Sequence, residues 1–392
     1  MYRYAERKEN IKPSPIRALA KLVQDPEIIS FAGGMPAPEL FPIEEMAEVT
    51  ETLIKKCGRR SLQYSGTDGI QELKELIVER MKRYGVTCEA DNVMITSGSQ
   101  QGLEMTGKML IDKDDVVICE NPSYVGALNA FGAYAPKMVP VEMDDEGMRM
   151  DCLEQALKGH PGAKFIYTIP NYQNPTGVTL SVSRRKTLVR LSNDYGVPIV
   201  EDNAYMELGF DERAMPVKSF DQKDEVIFLG SFSKVLCPGL RVGWIVAPKE
   251  VLGTYNLIKQ GADLHTNTLA QMQIVAFAEK HSLDQHIIKI KKAYQQRRDQ
   301  MLKEMEACFP DGISWTSPKG GMFIWVTLPQ NVNVNRLFEK ALEKKVAFVP
   351  GNAFFPGDNT TQSFRLNYGT MNEKQITEGI HRLAAVLAEE GM

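Results

Sequence analysis

The chain has 392 residues, with 46 basic and 50 acidic side chains and a net charge of −4. That length suits two domains better than one small core. There is no basic stripe for nucleic acid, and no apolar run approaches the ~20 residues needed to span a bilayer.

The first ten residues are charged and lack the apolar run of a secretory leader. The six cysteines are scattered with no CxxC, and none of the five histidines sits in an HExxH or Cys/His cluster. Neither a disulfide framework nor a metal site is expected, and a reducing cytoplasm fits.

The predicted elements alternate along the middle of the chain. A β-rich run at 92–96 precedes a helix over 99–110, and a second at 116–119 precedes a helix near 126–131. The run 165–169 leads into a loop and then a helix near 184–195. Short apolar runs follow at 198–200, 226–229 and 242–246. Such alternation predicts an α/β fold, a mostly parallel sheet sandwiched by helices, with ligands at the carboxyl ends of the strands. Beyond about residue 280 the texture changes. A long charged helix over 283–308 carries an apolar stripe of Ile287, Ile288, Ile290, Tyr294, Met301 and Met305. Strands near 321–326 and 346–349 and a last helix over 373–390 complete a smaller α+β domain. The boundaries expected are 43–282 for the large domain, and 1–42 plus 283–392 for the small one.

The chemistry is densest at Gly230-Ser231-Phe232-Ser233-Lys234, which follows the buried run 225–229, with Arg241 seven residues on. A lysine amine forms a Schiff base only when uncharged, so it needs desolvation or a cationic neighbour. Ser231, Ser233 and Arg241 can grip a phosphate. The cofactor that joins an aldehyde to a phosphate is pyridoxal 5′-phosphate. A solvated surface lysine is the plainer reading, and the strand before it argues against that.

The other candidates also follow predicted strands. Thr96-Ser97-Gly98-Ser99-Gln100-Gln101-Gly102 opens a helix and offers free N–H groups to an anion, though Ser99 as an ordinary N-cap would look the same. Asp202 ends an apolar strand and suits the cofactor's ring nitrogen, keeping it protonated; a helix-capping aspartate is the alternative. Glu201 alternates to the opposite face. Asn174, before Pro175, can aim its amide at the phenolic oxygen together with Tyr205, or sit in a plain turn. Tyr124 can stack on a flat ring or pack in the core. Arg365 lies in an apolar strand, where an arginine is seldom unpaired, and its fork suits a substrate α-carboxylate.

With these residues assembled, the chain resembles the fold-type I pyridoxal-phosphate aminotransferases of class I/II. The combination of Asn174-Pro175-Thr176-Gly177, Asp202-Asn203-Ala204-Tyr205, Ser231-Phe232-Ser233-Lys234 and Arg241 carries the likeness. Pro13-Ser14-Pro15-Ile16-Arg17, the segment 30–42, the segment 260–266 and Val349-Pro350-Gly351-Asn352 look like the 2-aminoadipate/kynurenine branch, whose members accept acidic, aliphatic and aromatic amino acids. The resemblance implies that Lys234, Asp202 and Tyr124 are catalytic. It implies that Gly98, Ser99, Gln100, Ser231, Ser233 and Arg241 hold the phosphate, and that Asn174 and Tyr205 hold the phenolic oxygen. Gly34, Asn174 and Arg365 would receive the substrate carboxylate. It further implies a homodimer with shared active sites, Tyr64 reaching the partner's phosphate.

The expected reaction is ping-pong transfer of an amino group from an α-amino acid to a 2-oxo acid, 2-oxoglutarate being the expected acceptor. Lys234 would carry the Cα proton. Arg17, beside a glycine-rich segment that can hinge, is the candidate for meeting acidic substrate side chains. Two rivals stand beside this. A β-lyase or decarboxylase would use the same fold and cofactor. A regulator with an aminotransferase-like sensor would carry an N-terminal winged-helix domain, for which the chain shows no room before residue 30.

Overall fold

The computed structural model of the chain describes residues 2–11, 13, 25–211, 213–329, 332–357 and 361–390. Its strands, in chain order, are β1 (Ile29–Ser30), β2 (Val93–Thr96), β3 (Val116–Asn121), β4 (Lys137–Asp144), β5 (Gly147–Met148), β6 (Phe165–Thr168), β7 (Ile199–Asp202), β8 (Val226–Ser231), β9 (Gly243–Val246), β10 (Ser314–Trp315), β11 (Phe323–Thr327), β12 (Val346–Ala347), β13 (Val349–Pro350) and β14 (Ser363–Asn367).

Eight of them form one sheet in the order β2-β9-β8-β7-β6-β3-β4-β5. Strands β4, β3, β6, β7 and β8 run parallel, while β9 is antiparallel to both its neighbours. The expected mostly parallel α/β sheet is present. Its strands are apolar on both faces because helices cover both. Val117, Phe165, Val200 and Ile227 enter one core, and Ile118, Ile166, Ile199 and Val226 enter the other. Each such side chain adds about 1.5–3 kcal/mol by leaving water.

The crossover helices begin and end where their sequences dictate. Ser181 caps Val182–Tyr195 by accepting from Arg184 N, and Gly196 closes it with φ +65°, a conformation glycine adopts without a Cβ penalty. The helix Ser99–Leu110 differs. Its N-cap is Gly98, with φ +81° and no side chain to offer, so the first N–H groups remain available to an anion. Ser99 is the first helical residue and caps nothing, which excludes the N-cap reading.

A second, four-stranded sheet has the order β10-β11-β14-β13, all antiparallel. The long helix Leu283–Cys308 packs against Glu373–Glu389. Ile288 is 54% exposed, so it does not belong to the apolar stripe; Leu283, His286 and Arg297 are buried instead. β1 pairs in parallel with β12 and ties the segment after residue 25 to this part of the chain.

Candidate active site

A cavity of about 520 Å³ opens at the carboxyl ends of the parallel strands. Asp202 is the last residue of β7 and Ser231 the last of β8; Tyr124 and Ile169 follow β3 and β6. The cavity gathers Gly34, Ser99, Gln100, Tyr124, Asn174, Asp202, Tyr205, Ser231, Ser233, Lys234, Arg241 and Arg365 from widely separated stretches of the sequence.

Lys234 Nζ donates to the Gly34 carbonyl at 2.7 Å. Among the described residues no carboxylate pairs with it. Burial, helped by the charges of Arg365 and Arg241, pulls its pKa down to about 8. The uncharged amine that attack on an aldehyde needs is thereby reached at a lower pH than for an exposed lysine.

Asp202 is buried on the same face as Tyr167. Its Oδ2 accepts from the Tyr167 hydroxyl at 3.0 Å, and its buried Oδ1 has no partner among the described residues. Burial pushes its pKa up to about 6, against the hydrogen bond from Tyr167. A buried acceptor left without a donor costs about 1–3 kcal/mol, and a protonated ring nitrogen would fill that need. No helix begins at Asp202, so it is not a capping residue. Glu201 points the other way, accepting from Val217 N and Lys218 N at 2.9 and 2.8 Å.

Arg241 adopts a left-handed backbone, φ +53°, at the end of its turn. Its guanidinium reaches Ser233 Oγ, Pro238 O and Ser97 O, each at 3.4 Å, and no carboxylate pairs with it among the described residues. A Cβ at Gly98 would run into that guanidinium, so glycine lets cation and helix start lie together. Ser231 Oγ accepts from Ser233 N at 3.1 Å. A cation with no carboxylate partner among the described residues, two hydroxyls and the N–H groups of the helix start suit a phosphate. The loop is braced from behind: Ser97 Oγ donates to Asp263 at 2.7 Å, and the fully buried Lys259 bonds both Asp263 and Gln101.

Arg365 is 1% exposed and pairs with no acid among the described residues. It donates to Asn174 Oδ1 at 2.7 Å and Ala32 O at 2.9 Å, while Nε has no partner there. It lies over the rings of Phe323 and Phe354, at 4.2 and 5.0 Å. Burial pulls its pKa down to about 10, still far above neutrality. A buried guanidinium of this kind suits a carboxylate ligand. Asn174 Nδ2 also faces the Tyr205 hydroxyl, at 3.5 Å. Tyr124 stands at the N-cap of Val125–Gly132, partly buried against the core, and lines the cavity. Gln100 lines it too, donating to Gly126 O at 2.9 Å.

Tyr64, expected to reach the partner subunit's phosphate, does not line the cavity of its own chain. It is 77% exposed and lies edge-on to His265 at 5.5 Å. Arg17 lies outside the described residues. Sequence reasoning missed Tyr167, whose hydroxyl in a fully buried strand demanded a partner, and the pair Lys259 and Asp263, four apart on a helix end.

The chain matches the model of the family "Aminotransferase class I and II" over residues 33–383. It is a class I/II aminotransferase. Its cofactor is pyridoxal phosphate, which the orphaned Asp202 oxygen, the depressed Lys234 and the phosphate cradle fit. This aminotransferase is 44% identical to aromatic-amino-acid aminotransferase 1 of Thermococcus litoralis, over 99% of its own length and 94% of that protein's. It superposes at TM-score 0.94 and 39% identity on the Pyrococcus horikoshii kynurenine aminotransferase in complex with PMP, covering 99% and 97% of the two chains. It superposes at 0.92 and 39% on LysN, the α-aminoadipate aminotransferase of Thermus thermophilus complexed with N-(5′-phosphopyridoxyl)-L-leucine, covering 98% and 97%.

Proposed function

We propose that this aminotransferase takes the amino group of aromatic, aliphatic and 2-aminoadipate-type amino acids and passes it to a 2-oxo acid, 2-oxoglutarate, by a ping-pong mechanism. The observation that carries the reading is Arg365, a buried guanidinium with an unpartnered Nε and no acid beside it among the described residues, facing the same cavity as Lys234. The names of the relatives support the donor range.

The chemistry that pyridoxal phosphate supplies when bound is an aldehyde to take up the amino group and a ring to withdraw electrons. Lys234 would hold that aldehyde and, once the amino donor displaces it, would take the Cα proton and return it to the cofactor's aldehyde carbon, its lowered pKa suiting both acts. Asp202 would keep the ring nitrogen protonated, and Tyr167 holds Asp202 in place. Ser231, Ser233, Arg241 and the Gly98–Gln100 turn would anchor the phosphate. Tyr124 would stack on the ring, and Asn174 with Tyr205 would hold its phenolic oxygen. Arg365, Asn174 and Gly34 would orient the carboxylate so that the Cα–H faces Lys234.

The same proposal includes a homodimer, in the cytoplasm, with Tyr64 completing the partner's phosphate cup. It is supported by the exposure of Leu62, Tyr64 and Leu264 and by the link from His265 through Thr266 to Ser97 of the phosphate loop. It also divides the chain into a large domain, 43–282, and a small one, 1–42 with 283–392. The pairing of β1 with β12 and the bond from Asn367 Nδ2 to Gly33 O at 2.7 Å support that division. The test is a panel of amino donors against 2-oxoglutarate, compared by kcat/KM. Acidic, aromatic and aliphatic donors should all turn over, and release of ammonia or carbon dioxide from the donor would contradict the reading.

A further inference from the structure

Glu120 is the penultimate residue of β3 and is 1% exposed, with no cation paired to it among the described residues. Leaving a carboxylate in such a place is costly unless hydrogen bonds satisfy it. Its Oε1 accepts from Thr168 Oγ1 at 2.5 Å and its Oε2 from Gln173 Nε2 at 3.0 Å, while Ile169 N lies 3.3 and 3.2 Å from the two oxygens. The backbone and amide partners can only donate, so the acceptor-only carboxylate suits them. Burial pushes the group up to about 7, and these same bonds oppose that.

The bonds lead to the cavity. Gln173 Nε2 also donates to Pro122 O at 2.9 Å, and its Oε1 accepts from Thr176 N and Thr176 Oγ1, both at 2.8 Å. Asn174 and Pro175 are therefore bracketed by Gln173 and Thr176, and Gln173 is fixed to Glu120. Asn174 in turn meets Arg365 at 2.7 Å. Pro122, on the same network, lies two residues before Tyr124.

We propose that Glu120 is a positioning residue for the substrate-carboxylate clamp, holding through Gln173 the loop that presents Asn174 to Arg365. This rests on the reading of Asn174 and Arg365 as that clamp. Glu120→Gln places an amide donor among donors, and its single oxygen cannot replace two.

The holoenzyme variants Glu120→Gln, Gln173→Ala and Arg365→Ala test it. For each, the inhibition constant of 3-phenylpropanoate (a carboxylate with no amino group), the KM and kcat for phenylalanine, and the affinity for pyridoxal phosphate are measured. Glu120→Gln and Gln173→Ala should raise the inhibition constant and KM together by about tenfold, the size of one lost buried hydrogen bond, with cofactor affinity within about twofold of wild type. Gln173→Ala leaves the buried carboxylate in place and decides the matter if Glu120→Gln does not fold. Wild-type inhibition constants in Gln173→Ala, or losses matched by equal losses of cofactor affinity, would overturn the role of Glu120. If Arg365→Ala itself leaves the inhibition constant unchanged, the clamp reading falls; if only Arg365→Ala raises it, the clamp stands and Glu120 does not position it.

Discussion

Lys234 Nζ donates to the carbonyl of Gly34 at 2.7 Å, a contact between residues 200 apart in the chain. The same short segment is gripped from the other side, Ala32 O by Arg365 and Gly33 O by Asn367. The reacting amine and the candidate carboxylate clamp thus hold neighbouring peptide groups of one strap. A partner that is a neutral carbonyl rather than a carboxylate leaves the amine free to lose its proton.

The first expected outcome concerns pH. Only the uncharged amine attacks an aldehyde, and burial moves its appearance down to about pH 8. The rate at which apoenzyme captures pyridoxal phosphate should climb with pH and level off above 8, being about a hundredfold lower at pH 6 than on the plateau. Because the Arg365 charge helps lower this pKa, Arg365→Gln should move the midpoint upward. Stopped-flow absorbance checks both, and a midpoint near that of an ordinary lysine would show that the amine is not depressed.

Tyr167 is the hydrogen-bond partner of Asp202 among the described residues. Its bond lowers the pKa of Asp202, so Tyr167→Phe should raise it and carry the acid limb of kcat/KM to higher pH. At neutral pH the loss should be about 1–2 kcal/mol of transition-state stabilisation. An unmoved acid limb would mean that Tyr167 only fills the core.

Much of this site was legible because its polar residues interrupt apolar runs. Lys234, Asp202 and Arg365 each follow, end or sit within a strand whose neighbours are buried, and the structure places all three on one cavity. Tyr167 was not legible, since a tyrosine inside Phe165–Thr168 reads as core and its partner lies 35 residues away. Glu120 reads as the start of a loop until Gln173, 53 residues on, is folded against it. The brace from Ser97 to Asp263 spans 166 residues and has no local signature. Ile288 was misassigned because a run of isoleucines hides which of them faces in. Strand β4, half exposed and of mixed polarity, lacked the alternation that would have marked it.

Substrate breadth makes a separate prediction. The proposed breadth of donors needs a charge that meets acidic side chains without opposing apolar ones, and Arg17 is the residue proposed to supply it. Arg17→Ala should lower kcat/KM for 2-aminoadipate and glutamate by about 1–3 kcal/mol and leave leucine and phenylalanine nearly unchanged. Equal losses across all four donors would assign Arg17 to the fold alone.

A shared site predicts complementation. Tyr64→Phe and Lys234→Ala would damage different sites of a dimer, so a mixed dimer holds one site with both lesions and one with neither. Provided each homodimer is nearly inactive alone, mixing them should restore activity, up to about a quarter of wild type on random exchange in a two-fold symmetric assembly. A monomeric mass in solution with full activity would end the idea.

The central claim is that Lys234 is the residue that carries the cofactor, and borohydride tests it most directly. Holoenzyme reduced with borohydride, digested and mapped by mass spectrometry should show the phosphopyridoxyl label on the peptide containing Ser231-Phe232-Ser233-Lys234 and nowhere else, and Lys234→Ala should take up no label. A label on any other lysine would contradict the account.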